Sequence, residues 1–134
     1  MIAKFVLNYG RYHRIWPALG RENTLYASVS SVRSFVQPIC KLLRSEDFGE
    51  SWIELADFYS MNPKNTTTGQ PFTLVDGTLL VSLWDRDFYE FGRTSLAICR
   101  SEDGGRSWEE TYSNSAATYG NHFFQNGQDG TIYL

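Results

Sequence analysis

The sequence predicts an all-β fold, a β-propeller of four-stranded antiparallel blades, and three observations carry that expectation. RSEDFGESW at positions 44–52 returns as RSEDGGRSW at positions 100–108, with seven of the nine residues identical. A turn-then-strand pattern recurs at Glu22-Asn23-Thr24-Leu25-Tyr26, Asp76-Gly77-Thr78-Leu79-Leu80 and Asp129-Gly130-Thr131-Ile132-Tyr133, at spacings of 54 and 53 residues. No segment carries helical periodicity, whereas turn signals follow one another at short intervals. Four short strands recurring every 40 to 55 residues or so is the arithmetic of a propeller blade.

Each unit reads as the same four strands. The first enters a tight turn, and Asp-Gly there predicts a two-residue hairpin turn with positive φ at both central positions. The second is TLYASV (24–29), TLLVSL (78–83) or TIYL (131–134), rich in residues that suit a pleated, half-buried surface. A longer connection follows, at about 30–37 and 85–93. The third strand, PICKLL (38–43) or SLAIC (95–99), runs into the Ser-x-Asp turn, and the fourth starts at Trp52 or Trp108. Blade one is expected at about 9–59, blade two at about 71–113, and blade three is begun at 118–134. About two and a half blades do not close a ring, which takes at least four. The 134 residues are therefore expected to be a fragment of a six- or seven-bladed propeller, completed by remaining blades in the same chain or another chain.

Composition narrows the function classes. A net charge of −3, with twelve Lys and Arg scattered along the chain, argues against nucleic acid as a partner. The apolar run at the N-terminus is short and broken by Lys4, too short for a signal peptide or a membrane span. Cys40 and Cys99 stand five and two residues before the repeated Ser, positions that face opposite sides of a strand, and they belong to different units. Two buried, reduced thiols are expected rather than a disulfide. No Cys/His spacing, Gly-rich phosphate loop or nucleophile elbow is present, and Asp85-Arg86-Asp87 lacks the ligand number of a calcium loop, so neither metal nor cofactor is expected. His13 and His122 read as isolated, hydrogen-bonded residues.

The repeated motif explains itself as a rigid turn. Asp47 and Asp103 accept hydrogen bonds from backbone N–H groups of their own turns. Ser45 and Ser101 each add a hydroxyl for another turn group. Gly49 and Gly105 supply left-handed or close-packed backbone. Trp52 and Trp108 lay a large apolar face under the hairpin, and truncation to Ala is expected to cost about 3–5 kcal/mol each. As paired carboxylates of a glycosidase, Asp47 and Asp103 fit poorly. They belong to separate blades, on the end where turns 3–4 emerge rather than the end of the 2–3 connections.

Ser-x-Asp-x-Gly-x-Ser-Trp resembles the Asp-box, or BNR repeat, of the sialidase superfamily of β-propellers, with Ser51 and Ser107 in place of the commoner Thr. Two copies at blade spacing extend the resemblance over essentially the whole chain. It implies that the Asp-boxes (Ser45, Asp47, Gly49, Trp52; Ser101, Asp103, Gly105, Trp108) are structural, and that a site lies at the channel mouth on the opposite face. It also implies an extracellular or periplasmic setting, although the chain shows no signal peptide.

Candidate site residues therefore come from the other end. Arg14, in Arg14-Ile15-Trp16-Pro17, is similar to the Arg of the sialidase Arg-Ile-Pro segment and would bind a substrate carboxylate; Trp16 departs from that pattern, and the residues alone also allow a solvated edge arginine. The resemblance further implies an acid/base Asp between the second strand and the first Asp-box, yet Ser28 to Gln37 contains no carboxylate. The connection of unit two is richer. Asp85, Asp87 and Glu90 offer carboxylates for sugar hydroxyls or acid/base work beside Arg86, while Trp84, Phe88, Tyr89 and Phe91 offer stacking faces. A carbohydrate ligand is expected on this reading, bound or hydrolysed. The alternative is a non-catalytic scaffold for protein interaction, with those aromatics packed between blades.

Overall fold

The computed structural model describes residues 13–20, 23–31, 38–64, 66–84, 94–117, 125–126 and 132–133. The first four strands, β1 (His13–Leu19), β2 (Leu25–Ser31), β3 (Cys40–Ser45) and β4 (Ile53–Asp57), form one sheet in the order β1-β2-β3-β4. Every neighbouring pair is antiparallel. Pro17 pairs with Ala27 on β1, an edge of this sheet, where the missing N–H of proline breaks no ladder.

A single helical turn, α1 (Phe58–Met61), follows β4 directly. It is the one departure from an all-β reading among the described residues. Asp57 supplies the reason, since its carboxylate accepts from the Ser60 N–H at 3.2 Å and caps the turn. Phe58, 1% exposed, anchors it.

The second sheet repeats the first. Its inner strand is split into β5 (Thr67–Thr68) and β6 (Phe72–Thr73), both paired with β7 (Leu79–Trp84). The gap falls at Gly69-Gln70-Pro71, where Pro71 lacks a donor, and the Gly69 N–H still reaches the Ser82 carbonyl at 2.8 Å. Then come β8 (Thr94–Ser101) and β9 (Glu109–Ala117). The sheet thus begins at Thr67, ahead of the expected start near residue 71, and its last strand continues to Ala117. Two short strands, β10 (Gln125–Asn126) and β11 (Ile132–Tyr133), pair separately.

The turn before β7 differs from the two-residue form that Asp76-Gly77 suggests. The Gly77 N–H donates to the Leu74 carbonyl at 3.0 Å, and the Leu74 N–H to the Thr78 carbonyl at 2.8 Å. Only Gly77 has positive φ, at 92°, while the Asp76 carboxylate accepts from the Thr78 N–H at 2.9 Å. This is a three-residue loop with one left-handed position, so the aspartate serves as a local acceptor and glycine alone supplies the unusual backbone.

The core lies between the sheets. Tyr26, Cys40, Leu42, Ala56 and Phe58 from one side meet Leu79, Val81, Leu83 and Cys99 from the other, with Leu55 and Trp108 packed on the margin. A polar clasp crosses the same layer, where the Ser28 hydroxyl donates to the Gly69 carbonyl at 2.5 Å. Both cysteines are free and buried. Five and two residues before the repeated Ser, they occupy opposite faces of equivalent strands, which would separate them if each sheet stood alone. Stacked sheets reverse the geometric consequence, because opposite faces of neighbouring sheets look into one layer, and Cys40 and Cys99 share the cluster.

Candidate functional site

Register fixes two ends for each sheet. Leu19 pairs with Leu25, Leu25 with Ser45, and Arg44 with Ile53, so turns β1–β2 and β3–β4 share one end. In the second sheet Thr73 pairs with Leu79, Leu79 with Ser101, and Arg100 with Glu109, which puts the second Ser-x-Asp turn beside the Leu74–Thr78 turn. The two sheets point the same way. Arg44 Nη1 lies 3.9 Å from where a Cβ on Gly104 would sit, linking the two Ser-x-Asp turns, while Ser28 and Gly69 join further along β2 and toward β5.

Both repeated turns are closed by their own side chains. In the first, the Ser45 hydroxyl accepts from the Gly49 N–H at 2.7 Å and donates to Asp47 Oδ1 at 2.7 Å. Asp47 accepts from the Ser51 N–H at 2.8 Å and the Ser51 hydroxyl at 2.5 Å. Trp52 Nε1 donates to the Gly49 carbonyl at 3.0 Å. The second turn repeats these bonds: Gly105 N–H to Ser101 at 2.8 Å, Ser107 N–H and hydroxyl to Asp103 at 2.9 and 2.6 Å, and Trp108 to Gly105 at 3.1 Å. The hydroxyl and N–H of Ser51, with the hydroxyl of Ser45, hold the Asp47 carboxyl down at about 2, and Ser107 with Ser101 depresses Asp103 further still. Such a carboxylate is a fixed acceptor and a poor proton carrier at neutral pH. The structural reading of Ser45, Asp47, Gly49, Trp52, Ser101, Asp103, Gly105 and Trp108 thus has a bond for each polar group.

The opposite end gathers the candidate positions as far as they are described. Arg14 pairs with Ser30, Ser30 with Cys40, Thr67 with Trp84, and Trp84 with Leu96. The connections after β2 and β7 therefore leave from the same end as Arg14. For Arg14 the description is of its backbone on β1. Asp85, Arg86, Asp87 and Glu90, with Phe88, Tyr89 and Phe91, lie outside the described residues, as do 32–37. Trp84 is described, and at 4% exposure its ring is a packing group on β7 rather than an open stacking face. Six consecutive buried residues on β7 account for this, since a strand covered on both faces leaves no side chain for a ligand.

Hydroxyls that belong to no motif in the sequence cluster toward this end. Ser30, Thr67, Thr68 and Ser82 are buried, and their hydroxyls have no hydrogen-bond partner among the described residues. The available signal was serine interrupting apolar alternation in TLYASVS and TLLVSL. Burial pushes the Cys99 thiol up to about 11 and Cys40 higher still, so neither is a nucleophile at neutral pH. Among the described residues no group of three or more His, Cys, Asp and Glu could hold a metal ion, and no helix is long and apolar enough to cross a membrane. Comparison with protein-family models, curated proteins and solved structures gives no match to this chain.

Proposed function

We propose that the chain is part of an Asp-box β-propeller of the sialidase-like type that binds glycans at the end opposite its Ser-x-Asp turns. The observation that carries the reading is the register: Arg14, the end of β2 and the end of β7 leave the sheets together, away from both rigid turns. Two stacked sheets of matching strand order, repeated at the motif spacing, support the blade reading, and ring closure then calls on further blades.

The chemistry suits a sugar. Carboxylates at Asp85, Asp87 and Glu90 accept hydrogen bonds from hydroxyls, Arg86 and Arg14 pair with an acidic substituent, and Phe88, Tyr89 and Phe91 stack on an apolar pyranose face. Hydrolysis needs two carboxyl groups astride the bond. With none between Ser28 and Gln37, an acid/base in this chain falls to the 85–90 stretch. That same gap favours the second reading, a non-catalytic scaffold.

A glycan array and a fluorogenic sialoside assay on the full-length protein test the proposal. Binding of acidic glycans, reduced at least tenfold by an Asp85→Ala, Asp87→Ala double variant and by Arg14→Ala, supports it. Binding untouched by all three substitutions, or no glycan binding at all, leaves the scaffold. Turnover lost in the double variant separates an enzyme from a lectin.

A further inference from the structure

Phe48 is the single non-glycine residue with positive φ among the described residues, at 58°, and its side chain is 63% exposed. Both features run against a phenylalanine, since a left-handed backbone crowds its Cβ and exposure forgoes burial of the ring. The protein carries its own control. The second turn places Gly104 at the same position, φ 75°, and closes with the same set of bonds. The turn therefore has no need of Phe48.

Other apolar tips share that end. Leu19, which closes β1, is 80% exposed, and Val75, in the turn before β7, is 86% exposed. Two strand spacings, about 10 Å, separate the ends of β1 and β3, and β6 packs against β1, which brings the Val75 turn alongside. Among the described residues the charge around these tips is acidic. Arg44 and Arg100 are paired with Glu46 and Glu102, and among the described residues of these turns Glu50, Asp76, Asp47 and Asp103 outnumber Arg106.

We propose that the Ser-x-Asp turn end, centred on Phe48 with Leu19 and Val75, is a docking surface for a protein segment presenting apolar side chains between basic ones. The acidic surround selects the charge of the partner, and the exposed ring, carried on a left-handed backbone, is its anchor. This surface is independent of the glycan reading, because it lies at the opposite end.

The test uses the full-length protein, isotope-labelled, with a Leu/Lys peptide as probe and a Leu/Glu peptide of the same pattern as control. The Leu/Lys peptide is expected to shift resonances of residues 45–52 and 74–78. Phe48→Gly, which copies the second turn, is expected to weaken binding at least tenfold with the melting temperature unchanged or raised, and Val75→Ser to weaken it without unfolding. Equal affinity for the Leu/Glu peptide, affinity unchanged in both variants, or shifts confined to the far end would overturn the proposal. Phe48-dependent sedimentation with phosphatidylcholine vesicles, in the absence of peptide binding, would replace it with a lipid surface.

Discussion

Phe58 and Trp108 meet edge to face, with ring centroids 5.1 Å apart and planes at 79°. Phe58 opens the helical turn after the first sheet, whereas Trp108 closes the Ser-x-Asp turn of the second. The indole is held in place by its bond to the Gly105 carbonyl, so a local turn presents a ring to the neighbouring sheet. Each such turn is read too narrowly as the base of its own sheet, because the second is also the joint between two.

A double-mutant cycle measures that joint. Phe58→Ala is expected to cost about 3–5 kcal/mol, since the ring is fully buried. Trp108 is only partly buried, so Trp108→Ala should cost less than the 3–5 kcal/mol or so that the sequence alone suggests, and the pair should be non-additive by about 0.5–1.5 kcal/mol. Chemical denaturation gives all four corners; strictly additive costs would mean that the rings touch without coupling.

Two glycines with the same φ separate strain from crowding. Gly77 and Gly105 both sit at 92°, but a Cβ on Gly77 meets nothing within 4 Å, while one on Gly105 falls 2.8 Å from Leu55 Cδ1. Gly77→Ala should therefore cost only the backbone term, on the order of 1–3 kcal/mol. Gly105→Ala should cost more, and Leu55→Ala in the same chain should recover part of the excess. Equal costs for the two alanines, from thermal melts, would dismiss the Leu55 contact.

The turn carboxylates set an acid limit. Asp47 and Asp103 have folded-state values below the ordinary aspartate range, so their contribution to stability is complete above about pH 4. It is lost as pH falls, through about 2 for Asp47 and lower for Asp103. Between pH 5 and 7 these two groups should contribute no pH dependence. Asp47→Asn should flatten the loss between pH 4 and 2, and melting temperatures of wild type and variant across that window check it.

Cys40 and Cys99 should both resist thiol reagents in the native protein near pH 8, because burial keeps them protonated. Because both folded values are raised, this contribution to stability is complete below the unfolded thiol pKa, about 8.5, and declines as pH rises from there toward about 11 for Cys99 and higher for Cys40, while the native thiols stay protonated. Stoichiometric labelling without denaturant at pH 8 would contradict this packing.

Much of the fold was legible because its signals are local. The Ser-x-Asp bonds span at most four residues, so a nine-residue string contains nearly everything that builds the turn. Strand identity followed from TLYASV and TLLVSL for the same reason. What escaped depends on partners distant in sequence. Nothing in Trp84 itself says that β7 is covered on both faces, and nothing in Ser28 names the Gly69 carbonyl 41 residues on. The cysteine spacing gave the correct faces, but only the stacking of one sheet on the next turns opposite faces into a shared layer. The Asp76-Gly77 turn failed more finely, because the dipeptide fits two hairpin loops and the hydrogen bond from Gly77 to Leu74 selects one.

A chain with near-identical segments faces a threading hazard, in which β3 of one unit takes β4 of the other as its partner. The Arg44–Ile53 pairing closes a short stretch, whereas Arg44 with Glu109 would close one roughly seven times longer, at an added entropic cost of about 2 kcal/mol. Because the bonds of each Ser-x-Asp turn lie inside that short stretch, the turn can form before either sheet exists. Each third strand then meets its own fourth strand first. The duplicated string that invites strand exchange is thereby also the kinetic lock against it.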